Sequence, residues 1–221
     1  MSPAPTRWGE WSTEHRSAAI VGVVAAALSV VLGLLVANHW APLERLDTGT
    51  ARHLNDYIAG RSAQAHAWRL VSDILAPAVL RAGLLVGAAV LMLRRDLRRA
   101  LFCVGTAAGS LAIVAVVKAL VGRPRPVMAH PVARAAGESF PSGHALTSAA
   151  TAICVVGLVW ARRSLRVPVV VAAAGLTIAV GFSRIILGVH YVSDVVGGWV
   201  MATALVTGLL VVVPPVPRRS R

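Results

Sequence analysis

Long apolar runs separated by short polar stretches dominate the pattern of this chain. Residues 18–38, from Ala18 to Asn38, contain no charge. At about 1.5 Å per helical residue, such a run crosses a hydrocarbon core of about 30 Å. The pattern predicts five more helices over 74–93, 100–121, 144–161, 167–187 and 193–213. The second is the weakest, because Pro77 and Arg81 interrupt it. The expected fold class is all-α: a polytopic bundle of six transmembrane helices, in a single domain over residues 1–221. The first run is long for the apolar part of a signal peptide and is expected to be retained. Segment 39–73 is mixed, with Leu43, Leu46, Leu54, Tyr57 and Ile58 among Glu44, Arg45, Asp47, Arg52 and Asp56. It reads either as short amphipathic helices on the membrane surface or as a solvated loop.

Composition agrees with a membrane protein: 57% of residues are hydrophobic, and mean hydropathy is +0.71. The net charge of +13 invites a nucleic-acid partner, but its distribution argues against one. The arginines collect at 94–99, 162–166 and 218–221, between the apolar runs, as cytoplasmic loops do. A nucleic-acid face needs a polar domain to carry it. With Arg7 and Arg16 also inside, six spans put both termini in the cytoplasm. Loops 39–73, 122–143 and 188–192 then lie outside a plasma (inner) membrane. Cys103 and Cys154 fall within predicted spans and read as small core residues, not a disulfide.

The remaining strong polar residues form three clusters at the edges of apolar runs. Lys118, the one lysine in the chain, is followed by Arg125-Pro126. Pro141-Ser142-Gly143-His144 opens the fourth helix, and Ser183-Arg184, His190 and Asp194 flank the start of the sixth. Facing lipid, each charge would cost roughly 2.5–3.5 kcal/mol even on a lenient scale. Gathered together, they would make a good pocket for a phosphate. His190 and Asp194, at i and i+4, share a helix face, so the carboxylate can fix the imidazole tautomer and free the other nitrogen. The helix start at Ser142-Gly143 offers unpaired N–H groups to an anion. Lys118, Arg125 and Arg184 supply cationic donors. Outside these clusters the bland readings hold: Arg69 and Arg81 snorkel toward headgroups, and Arg123 and Arg134 are solvated loop charges.

In combination these clusters resemble the type 2 phosphatidic acid phosphatase superfamily of membrane lipid phosphatases. Its signature is Lys, six residues, Arg-Pro; then Pro-Ser-Gly-His; then Ser-Arg, five residues, His, three residues, Asp. Lys118 to Arg125-Pro126, Pro141 to His144, and Ser183-Arg184 to His190 and Asp194 fit without departure. The resemblance implies a metal-independent phosphohydrolase with no cofactor. It implies His190 as nucleophile, Asp194 as its orienter, and His144 as acid to the leaving oxygen. Lys118, Arg125, Ser142, Gly143 and Arg184 would hold the phosphate. A lipid phosphate or diphosphate would be the substrate and the membrane the partner. Polyprenyl diphosphates, phosphatidylglycerol phosphate and phosphatidate all qualify. The sequence carries no signal for an oligomeric state.

Two other classes compete. A phosphohistidine can be intercepted by an alcohol, which makes a phosphotransferase. A transporter would line several helix centres with polar residues, whereas here those positions hold mainly Ser110, Thr147, Ser148, Thr177 and Thr203. A soluble haloperoxidase has a related site, but this chain is too apolar. No compact carboxylate cluster suggests a metal site, and there is no glycine-rich Walker loop.

Overall fold

The computed structural model describes residues 7–215, with side chains from Arg16 onward. The Arg218–Arg221 segment and the Arg7 side chain lie outside the described residues. Within them the chain forms helices and no strand: α1 (Arg7–Ala37), α2 (Ala41–Ile58), α3 (Ser62–Ile74), α4 (Pro77–Leu93), α5 (Leu97–Val121), α6 (Gly143–Val159), α7 (Arg163–Ile186) and α8 (Val192–Val212).

Five segments are long and apolar enough to cross a membrane: Arg16–Ala37, Ser62–Leu93, Leu97–Val121, Arg163–Ile186 and Val192–Val212. The shorter apolar helix Gly143–Val159 completes a six-span bundle. The second span differs from the expected 74–93. It starts at Ser62 and is broken between α3 and α4. Pro77 lacks an N–H and holds Ala76 extended, at ψ 148°. Segment 39–73 is helical, not a solvated loop. Its first helix turns an unusual stripe inward: Asp47, Ala51, Asn55 and Ile58 are all buried.

Helix α6 is short because it is wrapped by protein. It packs against α4, α5, α7 and α8, and Ala145 through Ala150 are all buried. Phe102, Phe140, Leu146, Cys154 and Val206, each fully shielded, form the core around it. Cys103 and Cys154 are buried free thiols. Large apolar side chains such as Ile20, Val23, Val86 and Val171 remain exposed on the outer faces, as a lipid-facing surface requires.

Close docking of α8 on α6 fixes the relation between two of the polar clusters. A Cβ on Gly198 would lie 2.9 Å from both the Leu146 nitrogen and the Ser142 oxygen, which are backbone atoms. Only glycine lets the helices approach so closely. One turn earlier, the Asp194 carbonyl accepts a hydrogen bond from the Ser142 N–H at 3.0 Å.

Candidate active site

His190 sits in the turn between α7 and α8, made possible by Gly188 at φ +70°. Its ring is 2% exposed. Nδ1 lies 3.3 Å from Asp194 Oδ2, and Nε2 lies 3.0 Å from Arg125 Nη1. A guanidinium carries only donors, so Nε2 is the acceptor and Nδ1 carries the proton toward Asp194. Burial, then the neighbouring Arg125 and Arg184, outweigh Asp194 and hold the imidazole down at about pKa 4. His190 is therefore neutral near pH 7, with its lone pair on the nitrogen facing the cations.

Those cations come from three elements. Lys118, in the last turn of α5, donates to the Glu138 carbonyl. Arg125 is held in the 122–142 loop by the carbonyls of Val189 (2.8 Å), Gly137 (2.9 Å) and Ala136 (3.0 Å). Arg184, near the end of α7, donates from Nη1 to the Ser72 hydroxyl. Its buried Nε has no partner, leaving one N–H for an incoming oxygen. His144 in the first turn of α6 hydrogen-bonds the Ser72 backbone and interacts electrostatically with Arg184, His190 and Arg125. Ser142 caps α6, its Oγ accepting from Ala145 N–H at 3.4 Å. The N–H groups of Gly143 and His144 in that first turn have no intrahelical acceptor. All eight residues expected from the sequence thus converge at one end of the bundle. Among the described residues, no three His, Cys, Asp or Glu side chains are grouped to hold a metal ion.

Residues 99–218 match the PAP2 superfamily. The match covers more than half of the chain. The chain belongs to the PAP2 superfamily. The fold agrees: the crystal structure described as the first transmembrane PAP2-type phosphatidylglycerolphosphate phosphatase, from Bacillus subtilis, superposes with a TM-score of 0.72. Identity is 21%, over 85% of this chain and 93% of the other. No curated protein gives a match.

Around this PAP2 site the structure corrects two sequence expectations. Arg123 is not a solvated loop charge. It is buried, and it bridges Asp194 Oδ1 and Asp47 Oδ2, both at 2.8 Å. Its Nη1 also donates to Ser193 Oγ at 2.7 Å. Two carboxylates facing it give this arginine better partners than water. Arg81 does not snorkel either. It donates to Ser110 Oγ (3.3 Å) and Thr147 Oγ1 (3.1 Å), tying α4 to α5 and α6 inside the bundle. Arg134 stays exposed, as expected, and so does Arg69. Asp47, Asn55 and Ser72 were not singled out from the sequence. The one available signal was the spacing of Asp47, Ala51 and Asn55, a polar-containing stripe at four-residue intervals.

An apolar groove of about 220 Å3 lies beside the site, between α4, α6 and α7. Its wall includes Leu75, Ser148 and Val180, each one turn along its helix from Ser72, His144 and Arg184. From Val180 to Val169 the groove follows α7 for about 16 Å, close to one leaflet of a hydrocarbon core of about 30 Å.

Proposed function

We propose that this PAP2 protein hydrolyses a lipid phosphate or diphosphate monoester through a phosphohistidine intermediate. The phosphate lies among Lys118, Arg125 and Arg184, with the Ser142 hydroxyl and the Gly143 N–H as further donors. Arg125 leaves Nε2 for a phosphoryl oxygen, which frees the His190 lone pair. Nε2 attacks phosphorus in line, and the bond to the lipid oxygen breaks as His144 relays to that oxygen the proton carried in by the monoanionic phosphate. His144 then takes a proton from water, which attacks the phosphohistidine and releases inorganic phosphate. Asp194 accepts from Nδ1–H throughout and stabilises the positive ring. The three fixed cations meet the charge on the non-bridging oxygens, so the reaction needs no divalent metal. The lipid tail lies in the groove between α4, α6 and α7, and the site faces away from the cytoplasm.

Support comes above all from the contact between Arg125 and His190 Nε2. It sets the tautomer and aims the lone pair at the cluster that would hold the phosphate. The test is phosphate release by purified protein from a panel of lipid phosphates and diphosphates, with excess EDTA present. Quenching during turnover of a labelled substrate is expected to trap acid-labile phosphate on the wild-type protein and none on His190→Ala. Activity that vanishes with EDTA and returns with Mg²⁺ contradicts the metal-independent reaction.

A further inference from the structure

Helix α2 lies outside residues 99–218 and upstream of every signature residue, yet its buried stripe reaches both halves of the site. At one end is Asp47, with its side chain fully shielded. Its Oδ1 accepts the Ser193 N–H at 3.0 Å. Its Oδ2 accepts the Ser193 hydroxyl at 2.5 Å and Arg123 Nη2 at 2.8 Å. Arg123 in turn donates to Asp194 Oδ1 at 2.8 Å and stacks on the Tyr191 ring at 4.1 Å. Asp194 is left with one oxygen, Oδ2, for His190 Nδ1 and the Tyr191 N–H. Eight residues along α2, about 12 Å away, Asn55 clamps the other half. Its Nδ2 donates to the His130 carbonyl at 2.8 Å, and its Oδ1 accepts the His130 N–H at 3.2 Å. Both bonds hold the 122–142 loop, which carries Arg125.

We infer that α2 is a positioning strut: Asp47, acting through Arg123 and Ser193, sets the orienting carboxylate of the nucleophile, and Asn55 sets the phosphate-binding loop. This rests on the assignment of His190 as nucleophile. Asp47, Arg123 and Asp194 form a buried chain of two carboxylates and one guanidinium, with a net charge of −1. Asp47 divides the arginine's charge, so that Asp194 keeps enough negative character to stabilise the ring when His190 becomes cationic. Replacing Asp47 by a neutral isostere brings the chain to zero beside the imidazole. A buried hydrogen-bonded charge feels such a change strongly, because little water screens it.

The two ends of the strut predict different kinetics. Asp47→Asn keeps the shape and removes the charge. It is expected to lower kcat by about 10–100-fold, the range for loss of an outer partner of a functional group, with KM nearly unchanged. The groups facing His190 are Asp194 on α8, Arg125 in the loop, Arg184 on α7 and His144 on α6. None of these changes in the variant, so the lost Asp47 charge is expected to move the acid limb of kcat/KM to lower pH. Asn55→Ala frees the loop and is expected to raise KM by about tenfold, the scale of one or two buried hydrogen bonds, with kcat largely retained. Both variants are assayed on a lipid phosphate in detergent, with thermal unfolding in parallel and His190→Ala as control.

A brace that merely held the fold would reduce melting temperature and folded yield, leaving the acid limb where it is and KM and kcat unsplit. That result overturns the inference. If Asp47→Asn does not fold, Ser193→Ala carries the test, since it keeps every charge and removes one link. It is expected to lower kcat at unchanged KM, and wild-type kcat overturns the relay. An inactive His190→Ala with an unaffected Asp47→Asn rejects the strut but leaves the proposed reaction standing. An active His190→Ala rejects the reaction itself.

Discussion

In the proposed reaction His190 acts through a single lone pair, and two outcomes follow from how it is held. Since burial lowers the imidazole to about pKa 4, His190 is neutral above that pH, the form that the proposed attack requires. The acid limb of kcat/KM is expected near pH 4, not near the ordinary histidine value of about 6.5. A limb near 6.5 measured with a soluble phosphate monoester contradicts this environment. His190→Ala is expected to abolish turnover, whereas Asp194→Asn leaves a small residual rate, because an orienter biases tautomer and charge without forming the bond. The residues on this side of the site were legible because their spacing is short: His190 and Asp194 are one turn apart, and Ser142 to His144 is a helix start. Arg123 was not. Arg123 and Arg125 each precede a proline in one loop, and nothing local distinguishes them. What turns Arg123 inward is Asp47, 76 residues away in sequence.

At the level of the helices, hydrophobic length found each span but placed the start of the second too late, at 74 instead of Ser62, and errors arose where polar residues had partners elsewhere. Arg81 made the second span look weak, but Ser110 and Thr147 on neighbouring helices satisfy it. The inward stripe of α2 looked like the polar side of a surface helix for the same reason. The groove between α4, α6 and α7 gives a prediction at this scale. Ala173 lines it, and Ala173→Phe is expected to raise KM for a long-chain lipid phosphate by about tenfold or more, while leaving a short-chain, water-soluble phosphate ester nearly unaffected. Equal effects on both substrates would place the tail elsewhere. Gly198→Ala is expected to destabilise the bundle by about 1–3 kcal/mol, as overpacking does, because the added methyl meets backbone that cannot move aside. Thermal unfolding in detergent checks it.

For the whole molecule, the arginine-rich turns at 94–99 and 162–166 lie at the end of the bundle opposite the site. The positive-inside rule favours a cytoplasmic side for such turns, which supports the external site proposed above. With Cys103 and Cys154 replaced by alanine, Val127→Cys, at a position 95% exposed in the 122–142 loop, is expected to react with an impermeant maleimide in intact cells. Leu97→Cys is expected to react only after the cells are opened. The reverse pattern inverts the topology. The meeting of α6 and α8 at Gly198 also has a temporal side. The chain is made from its N-terminus, so α6 enters the membrane before the segment carrying His190, Asp194 and Gly198 exists. Until α8 arrives, the Ser142 N–H lacks its Asp194 carbonyl and Arg123 lacks one of its two carboxylates. The nascent protein is therefore expected to carry a polar, unsealed gap from the insertion of α6 until α8 arrives, and the proposed phosphate site is complete only when α8 closes that gap.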